Sequence, residues 1–134
     1  MTFSIIARDE TTGRFGIAVA SKFLAVGARN AFIKTGVGAV ATQAFFNPYY
    51  GPRGLALLTA GASAQDTIRM LTTADEGRHM RQVHVMDRRG NFVAHTGPHW
   101  KSSLTPLPSQ SGIAALTTIC SIELNGCGGV AVGI

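Results

Sequence analysis

The chain has 134 residues, of which 46% are apolar and 14% charged, and its formal net charge is +5. That length supports one domain with a core of its own, and that composition excludes a disordered chain. The basic residues are scattered from Arg8 to Lys101, and the densest group, Arg78 to Arg89, is broken by apolar positions, so no nucleic-acid footprint is expected.

Residues 2–8 alternate, with Phe3, Ile5 and Ala7 on one side and Ser4, Ile6 and Arg8 on the other, which predicts a strand. Asp9 to Gly13 supplies turn residues, and residues 14–21 (RFGIAVAS) read as the partner strand. Phe32 to Thr35 and Gly38 to Phe45 are further extended segments, rich in small and β-branched residues. Two Pro and two Gly make residues 47–54 (NPYYGPRG) a loop. A helix is predicted from Gly54 to Thr59, stopping near Gly61. The next begins at Ser63, an N-cap with Asp66 three residues on, and buries Ile68 and Leu71. Residues 81–97 read as a second hairpin with its turn at Asp87 to Asn91. From Ser102 to Ile134 only Glu123 is charged, and Pro106, Pro108, Gly126, Gly128 and Gly129 punctuate the segment. No clean run of about twenty apolar residues occurs there, so a membrane span is not expected.

Several chemistries are not expected. Cys120 and Cys127 lack companions at zinc-like spacing and read as free thiols. His79, His84, His95 and His99 form no pair at helical metal spacing and no acidic residue clusters with them, so neither metal nor cofactor is expected. The segment GVGAVATQ (residues 36–43) lacks the lysine and helix of a phosphate loop. With no basic segment leading into an apolar run at the start, a cytoplasmic location is expected.

The start of the chain carries chemistry. A small residue after Met1 is compatible with removal of the initiator, which leaves a hydroxyl and a free α-amine on Thr2. A threonine hydroxyl needs a base to act as a nucleophile, and the α-amine, with a pKa of about 7.7 to 8.0, is one. A nearby positive charge lowers that pKa further; Lys22 and Lys34 are the candidates, and Ser21 is placed to hydrogen-bond the amine or the hydroxyl. Backbone amides of Thr42 to Ala44 and the Gln43 side chain are candidate oxyanion donors. Asn47, Tyr49 and Tyr50 offer hydrogen bonds and aromatic walls, Arg53 can hold a substrate carboxylate, and His95 completes the candidates. Each has a plain structural alternative: Thr2 as a strand former, the lysines as surface charges, the tyrosines as cover for a core edge, Arg53 as a helix cap.

The stretches TFSIIARDETTGRFGIAVASKFLAVG, GVGAVATQAFFNPYYGPRGLALL, ADEGR and RQVHVMDRRGNFVAHTG, in that order over residues 2 to about 97, closely resemble domain-of-unknown-function family 1028, which is similar to the N-terminal nucleophile (Ntn) hydrolases. The resemblance implies an α+β fold, an αββα sandwich with antiparallel sheets. Where proteasome-like relatives place an acidic residue late in the second strand this chain has Ala20, so their Asp–Lys relay is not reproduced. The region after His99 does not look like the family's continuation. Residues 1–100 are therefore read as the core, and residues 101–134 as an atypical tail from truncation, frameshift or divergence, less well packed than the rest. Missing strands leave a sheet edge open, from which a homo-oligomer is expected. The resemblance implies an Ntn-type amidohydrolase acting on a small amide or peptide, with no nucleic acid or membrane as partner. The alternative is a non-catalytic protein of the same fold that binds a small ligand or assembles with partner subunits.

Overall fold

The computed structural model describes residues 2–100 throughout, and beyond them the backbone of the segments 102–107, 113–121 and 129–133. Met1 and Cys127 lie outside the described residues, and only the backbone of Cys120 is described. The expectations of Met1 removal and of a free Cys127 thiol therefore fall outside what the structure describes.

Strands β1 (Thr2–Asp9) and β2 (Phe15–Ser21) form an antiparallel pair that aligns Thr2 with Ser21. Their turn closes on Asp9, whose carboxylate accepts from the amides of Thr11 (2.8 Å) and Thr12 (2.9 Å), and Gly13 supplies the positive φ of 68° that the turn requires. A short helix, α1 (Val26–Asn30), leads into β3 (Ala31–Lys34) and β4 (Gly38–Ala44). Helix α1 was not among the expected elements. Helix α2 spans Tyr50–Thr59 and helix α3 spans Ala64–Thr73; a 3-10 turn, Glu76–Met80, leads into the hairpin of β5 (Arg81–Asp87) and β6 (Phe92–Thr96). The backbone then adds β7 (Ser102–Leu107), β8 (Ile113–Ser121) and β9 (Gly129–Gly133).

Two antiparallel sheets result, one ordered β7-β8-β1-β2-β9 and the other β3-β4-β5-β6. Strands from beyond residue 100 thus flank both β1 and β2.

Ile6, Ile17, Val19, Ala39, Ala41 and Met86 pack between the sheets. On its other face the second sheet presents Val40, Val83 and Val85 to Leu58 of α2 and to Ile68 and Leu71 of α3. Covered on both sides, β4 is buried along almost its whole length. This is an α+β architecture of a helix layer and two stacked sheets.

One local difference from the sequence reading has a clear cause. Helix α2 starts at Tyr50 rather than Gly54, because Pro52 falls in the first turn, where an amide has no intrahelical partner to lose. Gly51 is needed there, since a Cβ would overlap the Phe32 ring. In β1, for which the alternation gives two faces without choosing between them, Phe3 faces outward and Thr2, Ser4 and Ile6 face the other sheet. Helix α3 starts as expected, with Ser63 Oγ accepting from the Asp66 amide at 3.1 Å.

Candidate functional site

The β1–β2 register places the Thr2 and Ser21 hydroxyls side by side, 2.9 Å apart, with the residues 9% and 7% exposed. Ser21 Oγ also accepts from the Phe23 amide at 3.2 Å, which fixes the chain as it leaves β2. The two hydroxyls open on a cavity of about 260 Å³ whose lining includes Lys22, Asn30 and the rings of Phe23, Phe45 and Phe46. Asn30, at the last position of α1, is 8% exposed and lines this space. The Arg29 guanidinium lies 5.0 Å from the centre of the Phe23 ring and 4.3 Å from that of Phe46, so one cation holds two walls together.

Backbone strain gathers here. The non-glycine residues with positive φ among the described residues are Ala44, at 67°, which lines the cavity, and Ala25, at 56°, two residues beyond Phe23. Left-handed alanine is costly and persists only where the surroundings enforce it.

Behind Thr2 a buried polar network runs between the sheets. Ser4 Oγ donates to Gln43 Oε1 at 2.7 Å and lies 2.9 Å from His84 Nε2. Gln43 Nε2 donates to Gln82 Oε1 at 2.7 Å and approaches the Thr2 carbonyl at 3.5 Å; Gln82 Nε2 donates to Thr96 Oγ1 at 3.2 Å. Burial pushes the His84 pKa down to about 3, so the imidazole is neutral. The network fixes the start of β1 against β4 and β5.

The predicted site residues therefore divide. Thr2, Ser21 and Lys22 meet at one cavity. Gln43 is 1% exposed and its amide lies within the inter-sheet network, while Ala44 reaches the cavity wall. Lys34 lies at the far end of β3 and donates to Thr59 Oγ1 at 3.1 Å. Asn47, Tyr50 and Arg53 line a different cavity, between α2 and α3. Tyr49 is 61% exposed and stacks under Arg53, 5.1 Å from ring centre to guanidinium. His95 Nε2 lies 2.9 Å from the Arg78 carbonyl oxygen.

Sequence reasoning missed Asn30, Arg29, Phe23 and Phe46. Their signal was weak, because α1 is five residues long with no side-chain cap. An Asn closing a short helix just before a strand is an ordinary pattern until the sheets stack. Among the described residues no group of three or more His, Cys, Asp or Glu could hold a metal ion, and no helix is long and apolar enough to cross a membrane.

Fold and site define an α+β protein with its first strand opening on a small, aromatic-walled cavity. A family model described as "Family of unknown function (DUF1028)" matches residues 2–115, and the chain belongs to this family. The match extends past the stretch ending near residue 97 that carries the resemblance in sequence. The crystal structure of protein SPO2555 from Silicibacter pomeroyi, of the same family model, is similar with a TM-score of 0.80 and 29% sequence identity. The similarity covers 92% of this chain and 56% of that one, so this chain spans little more than half the length of that protein. No curated protein matches the chain.

Proposed function

We propose that the protein is an Ntn-type amidohydrolase that cleaves a small amide or peptide with Thr2 as nucleophile. The observation that carries the reading is the Thr2 hydroxyl, bonded to Ser21 at the start of β1 and opening on a cavity with Lys22 and Asn30. The stacked antiparallel sheets with a helix layer on one side are in keeping with the Ntn sandwich that the family resemblance implies.

The chemistry requires the α-amine that removal of Met1 exposes. That amine takes the hydroxyl proton as Thr2 Oγ1 attacks the substrate carbonyl carbon. The Asn30 amide donates to the developing oxyanion. Collapse breaks the carbon–nitrogen bond, and the proton held by the α-amine passes to the leaving amine. Water, deprotonated by the same amine, then hydrolyses the acyl-threonine ester and restores the hydroxyl. Ser21 orients Thr2, and the positive charge of Lys22 favours the neutral α-amine. The reading needs no acid at Ala20, because the amine itself supplies the base. Its setting is the cytoplasm. Self-association belongs to the same proposal and is supported by the outward face of β1, where Phe3 is 37% exposed.

The test is exposure of the mature protein to a threonine-directed β-lactone, with the adduct mapped by mass spectrometry. Modification is expected at Thr2 and is lost in Thr2→Ala and in a form that retains Met1. A protein that lacks Met1 and stays unmodified overturns the mechanism and favours the non-catalytic, ligand-binding alternative.

A further inference from the structure

The second cavity, of about 380 Å³, lies between α2 and α3 and is separate from the Thr2 site in its lining. Its body is apolar: Leu57 of α2 and Ala60, just past its end, face Met70 and Leu71 of α3. Its polar end holds Tyr50, Arg53 and Asp75. The Asp75 carboxylate is already engaged, accepting from Arg81 Nε at 2.9 Å, Asn47 Nδ2 at 3.1 Å and the Gly77 amide at 2.8 Å. Tyr50 is 2% exposed, and its buried hydroxyl is turned to Asp75. Arg53, propped on the Tyr49 ring, has no carboxylate partner among the described residues.

Two guanidinium groups, Arg53 and Arg81, stand against the single Asp75 carboxylate at this end, so the charge left over is positive. Neutral and cationic head groups leave that charge unanswered. A cavity of this size takes a small molecule with most of its surface buried.

We propose that the α2–α3 groove is a binding site for a monocarboxylate with a flexible apolar body, its carboxylate accepting from the Arg53 guanidinium. Burial first, and a hydrogen bond to the Asp75 carboxylate second, raise the Tyr50 pKa above its ordinary value, so that hydroxyl keeps its proton and leaves the ligand carboxylate to Arg53. The acyl chain lies along Leu57, Ala60, Met70 and Leu71. The site does not depend on the Thr2 reaction.

Titration calorimetry of octanoate into the intact protein at neutral pH, with 1-octanol as the uncharged control, tests the proposal. Octanoate is expected to saturate one site and to bind about tenfold or more tightly than 1-octanol, the scale of one charge-assisted contact. Arg53→Gln is expected to remove most of that difference. Ala56→Leu, an exposed helical position on the groove wall, fills the space with a good helix former and is expected to abolish binding while the thermal melt is retained. Thr2→Ala is expected to leave octanoate binding unchanged. The proposal is overturned if octanoate does not saturate, if the alcohol binds equally well, or if Arg53→Gln and Ala56→Leu bind like the parent. Loss of binding in Thr2→Ala assigns the ligand to the other cavity and overturns it too. So does a dimer that Ala56→Leu dissociates, because a second copy then covers the groove.

Discussion

Replacing Gln43 by Met tests whether the inter-sheet polar network holds the start of β1 in place. The two side chains have similar volume, so the substitution removes polar atoms without opening a large cavity. Gln43 Oε1 accepts from Ser4 and Gln43 Nε2 donates to Gln82, both at 2.7 Å. Ser4 retains His84 Nε2 at 2.9 Å after the change, so its loss is the net value of one hydrogen bond, about 1 kcal/mol. Gln82 is fully buried, and its Oε1 loses the donor that Gln43 supplied, which costs about 1–3 kcal/mol. The 3.5 Å approach to the Thr2 carbonyl is too long to add much. The sum is about 2–4 kcal/mol, against a total stability of about 5–15 kcal/mol for a domain. In urea this appears as a midpoint lowered by about 1–2 M at unchanged slope, using a slope of about 2 kcal/mol per M. The double variant Gln43→Met, Gln82→Met removes both ends of one bond and is expected to lose about 1–2 kcal/mol less than the two single losses added together. A Gln43→Met protein within about 0.5 kcal/mol of the parent would refute the reasoning, because such a value belongs to a surface site.

Other outcomes follow from the same structure. Asn30→Ala is expected to slow β-lactone acylation of Thr2 by about 10²-fold, as removal of one oxyanion donor does, with the melting curve little changed; an unaltered rate removes Asn30 from the mechanism. His84 has a folded pKa of about 3 against 6.5 unfolded, so the unfolded state binds the proton first and stability falls with pH below 6.5. Urea titrations should therefore show the parent losing about 2 kcal/mol more than His84→Gln between pH 7 and pH 5, and parallel losses exclude this cause. For Asp75, burial works to raise the pKa, but hydrogen bonding from Arg81 and Asn47, the nearby Tyr50 hydroxyl and the Gly77 amide outweigh it and hold it below the carboxylate range. Its contribution to stability is present above the unfolded pKa of about 4 and is lost as pH falls below that, so Asp75→Asn should flatten the curve there; an unchanged acid limb counts against the Arg81 pairing. Gly97→Ala puts a Cβ into the backbone of His79, which cannot give way as a side-chain tip can, and should cost about 1–3 kcal/mol in the urea midpoint; a neutral result contradicts that close approach.

Local pattern settled much of the chain. Period-two alternation marks β1, Asp9 and Gly13 fix its turn, Ser63 with Asp66 starts α3, and Asp87 to Asn91 turns the second hairpin. These signals act over a few residues, where dihedral preference and short hydrogen bonds decide. Alternation, however, gives a strand two faces without saying which one another sheet will cover. In β1 the covered face carries Thr2 and Ser4 as well as Ile6, because the facing strands offer Ser4 partners in Gln43 and His84. The same stacking draws Gln43 into the network, and the early start of α2 carries Asn47, Tyr50 and Arg53 to the helix groove. Thr2 was legible as a residue type at the head of a strand. That its hydroxyl meets Ser21 and shares a cavity with Asn30 depends on strand register and on where a five-residue helix ends, and both are fixed only when the sheets pack.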